Sequence, residues 1–348
     1  MAHKTLIGGT AYNISGGKSL VSGTSYSIKS GKTLVGGTGY NISFGSGGGG
    51  EPTAMLYSDG DFVFQYGSEV ASGKTLTASY TGFEDTSYTY STAPWNSNMS
   101  TIKNVYFNNE IKPISLAKWF NNARNLLSCN WTNFDWNNVT NMAYAYRNCL
   151  NLTSSPACGS KVTNMYSAYY SCTNLTGSPV CGNNVTNMDY AYSSCTNLTG
   201  SPACGSKVTN MYSAYSSCTN LTGSPVCGNN VTNMAYAYRN CTNLTGSPVC
   251  GNNVTNMANT YKNCKNLNAG TFYFYSKNVA DARNCFYGKN NSRRYNIHVP
   301  ANSTTLNTFI KKTATTSLVG ATITWTNNGT CWYNTTYNLY IYANTSMA

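Results

Sequence analysis

Apolar residues recur through the middle of the chain with two superimposed periods. Val139, Met142, Ala145, Tyr146 and Cys149 fall at steps of three and four, the spacing of one helix face. The set returns every 23 residues, most regularly at Met142, Met165, Met188, Met211, Met234 and Met257. Between returns lies a short extended segment such as "LTSSPAC", in which Pro156 bars a continued helix. The pattern predicts a helix of about ten residues plus a short strand in every unit. The expected fold class is therefore an α/β solenoid over residues 113–295. A longer period lies above the first: residues 158–203 and 204–249 differ only at Tyr170/Ser216, Asp189/Ala235, Ser193/Arg239, Ser194/Asn240 and Ala203/Val249. The first four of these pairs fall on predicted helix positions facing away from the apolar stripe.

The flanks carry strand patterns. Three 14-residue units start at Lys4, Lys18 and Lys32, each pairing a step such as Leu6-Ile7 with a Tyr-x-Ile step such as Tyr12 and Ile14. Gly and Ser separate the two steps, which predicts strand, turn, strand. Residues 1–44 form this first segment, too small to bury much alone and in need of a partner surface. The glycine run at 45–50 reads as a flexible linker. Residues 51–112, with Asp59-Gly60 between apolar runs, read as a small β module capping the array. Residues 296–348 read as a capping helix, "STTLNTFIKK", followed by a β cap.

Composition narrows the classes. Only 9% of the 348 residues are charged, and the net charge of +12 reflects scarce acids more than abundant bases. Asn, Thr, Ser, Gly and 29 tyrosines take the place of charge. The bases are scattered, whereas a nucleic-acid reader clusters them on one stripe. No nucleic-acid partner is expected. No run reaches the ~20 apolar residues of a membrane span, and the first residues lack the apolar core of a signal peptide. The chain is thus expected to fold in a reducing cytoplasm, with no membrane insertion.

That compartment bears on the cysteines. Cys149, Cys172, Cys195, Cys218, Cys241 and Cys264 form one column, and Cys158, Cys181, Cys204, Cys227 and Cys250 a second. Cys129, Cys285 and Cys331 stand outside both. A metal held by both columns is disfavoured because they belong at opposite ends of a coil and only two histidines, His3 and His298, are present. Neighbours in one column stack ~4.8 Å apart, within disulfide reach. A reduced, packed ladder is the preferred reading, since cysteine behaves as a small buried hydrophobe and the folding compartment is reducing. No cofactor and no metal are expected.

The period of 23 falls in the leucine-rich-repeat range, and the residues themselves add to it. "NVTNMAYAYRNCTNLT" resembles the "NVTNMxxMFxxCxxLT" style of the BspA-like leucine-rich repeats, with Ala145-Tyr146 and Cys149 where that family has its Ala/Met-Phe and Cys. "NFDWNNVTNM" at 133–142 keeps the family's preceding step. Segments of the flanks, "TLIGGTAYNISGGKSLV" and "IHVPANSTTLNTFIKK" among them, are similar to virion proteins of phages of gut bacteria. There such repeats serve as the adhesive part of tail-fibre or head-fibre proteins.

The resemblance implies a non-enzymatic virion protein. Its solenoid would touch a bacterial surface glycan or protein, and residues 1–44 would bind other virion proteins. A homo-oligomer, trimer first, follows from strand units with edges that need pairing. The alternatives are a bacterial cell-surface adhesin of the same family and, third, a glycan-degrading enzyme of a β-rich fold. Catalytic chemistry is thin: among ten acids, Glu84-Asp85 could supply half of a glycosidase pair, and Asp189 is replaced by Ala235 in the duplicate. Contact with a receptor is expected at Tyr166, Tyr170, Tyr190, Tyr212, Tyr236, Arg147 and Arg239, since interfaces favour Tyr and Arg. The aromatic end segment, with Trp325 and Trp332, is a second candidate contact at the tip.

Overall fold

The computed structural model describes residues 51–83 and 93–347, apart from 155–157, 180, 201, 203, 226 and 269, and the strand backbones within residues 3–41. Those strands form three antiparallel pairs: β1 (His3–Ile7) with β2 (Thr10–Ile14), β3 (Lys18–Val21) with β4 (Thr24–Ser27), and β5 (Lys32–Val35) with β6 (Thr38–Asn41). The acidic pair Glu84-Asp85 lies outside the described residues.

The 23-residue units contain no helix, which overturns the expected α/β class and its helix-plus-strand repeat. Among the described residues the only α-helix is α1 (Thr304–Phe309), capped by the Ser303 hydroxyl accepting from the Leu306 N–H at 3.1 Å. Each unit is instead a coil whose apolar half is a run of β-turns. In one coil the N–H groups of Met165, Ser167, Tyr169 and Ser171 donate to the next coil at Asn187, Asp189, Ala191 and Ser193, over 2.8–2.9 Å. The N–H groups between them stay local: Ala168 donates to the Met165 carbonyl, Tyr170 to Ser167 and Cys172 to Tyr169, over 3.0–3.3 Å. Tyr166 N–H, which starts the run, donates to the side chain of Asn164 at 3.0 Å.

This alternation requires a left-handed residue twice per coil, four positions apart. Ser167 and Ser171 have φ of 51° and 58°, and the same two places recur from Lys118 and Asn122 to Asn284 and Gly288. Helical residues cannot hold such φ values. Asn, Ser, Thr, Tyr, Cys and Val, which make up most of each run, are also mediocre helix formers. The steps of three and four arise because each turn closes on its third residue. They put Val162, Met165, Ala168, Tyr169, Cys172 and Leu175 in the core, each at most 1% exposed.

Identical residues stack through the coils. Asn141, Asn164, Asn187, Asn210, Asn233, Asn256 and Asp281 are joined by parallel bridges. Each caps its own turn run, as Asn187 does by accepting from the Asp189 N–H at 2.9 Å. The rings of Phe120, Tyr146, Tyr169, Tyr192, Tyr215, Tyr238, Tyr261 and Phe286 form one internal pile, with neighbouring centroids 5.0–5.8 Å apart and planes within 24°.

Two mixed sheets close the pile. At the first end stands the order β11-β10-β8-β7-β9, built from β7 (Pro52–Tyr57), β8 (Asp61–Tyr66), β9 (Leu76–Thr81), β10 (Asn104–Phe107) and β11 (Ser128–Asn130). β8, β10 and β11 are parallel, so the stacking order of the coils begins inside this sheet. The hairpin at Asp59-Gly60 needs glycine: its φ is +94°, and a Cβ would sit 2.7 Å from the Thr101 carbonyl oxygen. Phe62, Phe64, Phe83, Trp95, Phe107 and Trp119 form the aromatic plug, tied by the Trp95 indole donating to the Trp119 carbonyl at 2.6 Å. At the other end β12 (Val249–Cys250), β13 (Gly270–Phe274), β14 (Tyr295–Pro300) and β17 (Leu339–Asn344) run parallel. β15 (Thr326–Asn327) and β16 (Trp332–Asn334) complete that sheet antiparallel.

Lys289 is buried where the last coil meets this sheet. Its ammonium lies 4.5 Å over the Tyr295 ring and donates to the Tyr337 carbonyl and to Asn291 Oδ1. Burial lowers its pKa from 10.5 to about 8. The folded chain therefore releases this proton before the unfolded chain does. The resulting penalty is full below about pH 8 and fades as pH rises toward 10.5. The buried thiols act the other way and outnumber it, since burial raises their pKa values above the unfolded 9.0. Urea midpoints should therefore fall as pH climbs through 9. The Lys289 contribution is read as a difference: Lys289→Met should exceed the parent midpoint by more at pH 7 than at pH 9.5. Asn187→Ala removes one cap and is expected to cost about 1 kcal/mol, read from the same midpoints. An unchanged midpoint would remove the caps from any stabilising role.

Candidate recognition surface

The turn runs present one face of the pile to solvent, and the predicted contact residues meet there. Tyr144, Tyr166, Tyr190, Tyr212 and Tyr236 follow one another with centroids 5.1–6.2 Å apart and planes at 60–74°, a herringbone of half-buried rings. Tyr170 joins it 6.3 Å from Tyr190. The Arg147 guanidinium sits over Tyr170 at 5.4 Å and Tyr144 at 5.9 Å, and that of Arg239 over Tyr236 at 5.8 Å. The structure thus brings all seven predicted residues into one strip.

Four further residues belong to it or to its ends and were missed. Tyr144 sits 46 residues before Tyr190, so the longer period alone could have found it. Lys118, 5.9 Å from the Tyr144 ring, ends the strip on one side. Lys262, 4.9 Å from the ring of the exposed Tyr287, extends the face on the other. Lys262 falls on the 23-residue register of Arg239 and was legible from it, whereas Lys118 carries no such signal because the first coil is longer than 23 residues. Asp189 is the strip's one carboxylate, and it turns inward to accept from the Tyr212 N–H at 3.1 Å and from Asn210 Nδ2 at 2.8 Å. Burial raises its pKa against those bonds.

The tyrosines alternate between two adjacent positions of the coil. Tyr144, Tyr190 and Tyr236 occupy the first left-handed position, with φ of 55–61°. The coils between them carry Ser167 and Ser213 there, and a later coil has Asn259. A bulky residue in this region is a true outlier, at a cost on the order of 1–2 kcal/mol. At one varied position the small residues Ser193 and Ser216 are buried, whereas Tyr170 and Arg239 reach the strip from the same place in the coil.

The tip aromatics lie apart from this strip. Trp325 and Trp332 are half-buried and pack against the core, and the Trp325 indole reaches the Lys311 carbonyl at 3.5 Å. On the outer face of the sheet, His298 stacks on Tyr342 at 4.8 Å, and Tyr273 and Tyr275 are the exposed rings nearby.

The two cysteine columns differ. Cys149, Cys172, Cys195, Cys218, Cys241 and Cys264 are fully buried, and each thiol donates to a backbone carbonyl of the preceding coil, as Cys195 does to Tyr169 at 3.0 Å. Burial pushes their pKa values up, to about 12 for Cys172 and Cys218. In the second column Cys158, Cys181, Cys204 and Cys227 are half-buried and Cys250 is buried. Burial, and after it the neighbouring Cys227 thiol, raises Cys250, while the Cys250 thiol lowers Cys227. All fourteen cysteines are unbridged, and no cluster of three or more His, Cys, Asp or Glu suited to a metal occurs among the described residues.

Two outcomes are expected from this geometry. Iodoacetamide should label Cys227 first, then Cys158, Cys181 and Cys204, and reach Cys172, Cys195, Cys218 and Cys241 only on unfolding. Peptide mass mapping over time reads the order, and early labelling of Cys195 would contradict the packing. Tyr190→Asn relieves a left-handed tyrosine with a residue that favours that region. Its melting temperature should stay level or rise, and a clear fall would show that the ring holds the coil together.

A family model described as "Mycoplasma protein of unknown function, DUF285" matches residues 114–227, 157–245 and 186–299 in overlapping registers. No curated protein and no solved structure matches the chain. The matched residues coincide with the pile of coils that carries both cysteine columns and the tyrosine strip. Spanning 114–299, they cover more than half of the chain, and the chain belongs to the DUF285 family.

Proposed function

We propose that the chain is a non-enzymatic adhesion component of a phage tail or head fibre, which attaches the virion to the surface of its bacterial host. The observation that carries this reading is the tyrosine strip. Three of its rings sit in left-handed backbone that Asn or Ser would occupy with less strain. Strain kept at three equivalent, solvent-facing places points to a use in binding. Tyrosine also supplies contact area at low entropy cost, and arginine resting on tyrosine is a pairing common at recognition surfaces.

Residues 1–44 would hold the chain to other virion proteins. Their strands form three separate two-stranded sheets, each with outer edges left for pairing by a neighbour. A homotrimer would supply such neighbours, and the protein would act in the virion after assembly in the host cytoplasm. A bacterial cell-surface adhesin is the second reading, favoured by the bacterial description that the family carries.

The two readings part in a mass-spectrometric inventory. Purified virions should contain the chain, whereas enrichment in the bacterial envelope without virions would select the adhesin. Adhesion itself is tested with the fluorescently labelled full chain on host cells. Tyr144, Tyr190 and Tyr236 changed together to Asn should reduce cell binding about tenfold or more while melting stays level or rises. Undiminished binding by this variant would remove the strip from recognition.

A further inference from the structure

We propose that the tyrosine strip binds a linear acidic glycan laid along the axis of the coils, one two-sugar unit to every two coils. This deepens the adhesion reading and rests on it. The first ground is the period of the surface. Chemically similar places on the strip recur every 46 residues, not every 23. Tyr144, Tyr190 and Tyr236 share one position and one left-handed backbone, and Tyr166 and Tyr212 share the other. Coils bridged in parallel stand ~4.8 Å apart, so the surface repeats about every 9.6 Å. That is about the length of two linked pyranoses. A folded protein partner has no reason to match an axial repeat, whereas a polymer of alternating sugars does.

The second ground is the kind of group repeated. Tyr144 and Tyr166 meet edge to face with ring centroids 5.1 Å apart, and Tyr190 and Tyr212 at 5.2 Å. Each two-coil unit therefore offers a dyad of neighbouring tyrosines, phenol hydroxyls beside ring faces. Sugars present hydroxyls around an apolar face, and such a dyad meets both. Burial, with the neighbouring Tyr212 phenol adding to it, pushes the Tyr190 phenol up to about 12, so it remains a neutral donor and acceptor.

The third ground is charge. Arg147 and Arg239 lie on the strip, with Lys118 and Lys262 at its ends. The one carboxylate, Asp189, is turned toward Tyr212 N–H and Asn210. Arg239 Nε is buried without a hydrogen-bond partner. Guanidinium groups lodged 5.4–5.9 Å from tyrosine ring centroids have N–H groups to offer a carboxylate, which they grip in a fork. The ligand is therefore acidic, with a uronate or another carboxylate in its repeat.

The test is an array of linear oligosaccharides of two to ten sugars, uronate-bearing and neutral, probed with the labelled full chain. From Tyr144 to Tyr236 is four coil steps, ~19 Å, or about four sugars. Affinity for acidic members should gain about tenfold from two sugars to four and level off beyond. The Tyr144, Tyr190 and Tyr236 triple Asn variant should lose that gain. Arg147→Gln with Arg239→Gln should abolish the preference for acidic over neutral members and the weakening by salt. Equal binding of neutral members overturns the proposal, as does affinity that ignores length. If the labelled chain coats host cells yet no acidic member binds, the glycan proposal fails and adhesion stands. Failure on cells as well rejects both.

Discussion

Backbone hydrogen bonds that alternate between the coil's own turn and the next coil hold this molecule together. Each turn run sends every second N–H along the axis and returns the others to a carbonyl three residues back. Neither a helix nor a strand divides its amides in this way. The division works only if the chain reverses its handedness twice per coil, at places such as Ser167 and Ser171. Once it does, the run is flat enough to lie on its copy, and the copies fall into register. The isolated parallel bridges at the asparagine column mark where that register is set.

Register then makes identical residues neighbours, which explains the composition. An Asn above an Asn can accept from its own turn in every coil, and a Thr can donate to the Thr carbonyl before it, as Thr186 does to Thr163 at 3.2 Å. A charged residue stacked on its copy at ~4.8 Å would meet a like charge and destabilise the pile. Cysteine suits the interior for a related reason. It is small enough to sit under the tyrosine pile, and its weak S–H donor uses the second lone pair of a carbonyl already bonded to a backbone N–H, as Tyr169 O is to Cys172. The expectation of a merely apolar cysteine ladder therefore misses half of what these thiols do.

Much of the interior was legible in the sequence and its backbone was not. The stripe of Val162, Met165, Ala168, Tyr169 and Cys172 is buried as its spacing predicts. The helix inferred from that spacing is absent, because a chain of β-turns returns on its third residue much as a helix does. The distinguishing sign was present in Asn148, Ser171, Ser194, Ser217, Asn240 and Asn263, one in each coil where left-handed backbone is needed. Asn in particular tolerates that region, and none of these residues favours a helix interior. Of the strip, Tyr166, Tyr170, Tyr190, Tyr212, Tyr236, Arg147 and Arg239 were legible as outward positions. Their herringbone was not, since it depends on adjacent coils setting their tyrosines one position apart. For Trp325 and Trp332 alternation in a strand does not tell which face the core takes; here it takes the Trp332 face, with Leu339 and Ile341.

The same backbone explains where the chain has been free to change. Inside, any substitution meets its own copy above and below, so a change of volume in one coil disturbs two others. On the turn face the inter-coil bonds are made by backbone alone, and the side chain can differ without breaking one. Tyr170 and Ser216 show this: both are followed by a left-handed serine whose N–H reaches the next coil, at 2.8 Å from Ser171 to Ser193 and 2.7 Å from Ser217 to Arg239. The Asp189/Ala235 pair shows it again, for both carbonyls accept from the coil before, Asp189 from Ser167 at 2.8 Å and Ala235 from Ser213 at 2.9 Å. Variation is therefore cheap on this face, and change there alone would say little about use. Tyrosine at φ of 55–61° is different, because the backbone disfavours it while a neighbouring coil manages with serine. Three such residues on one line set this face apart from one on which sequence merely drifts.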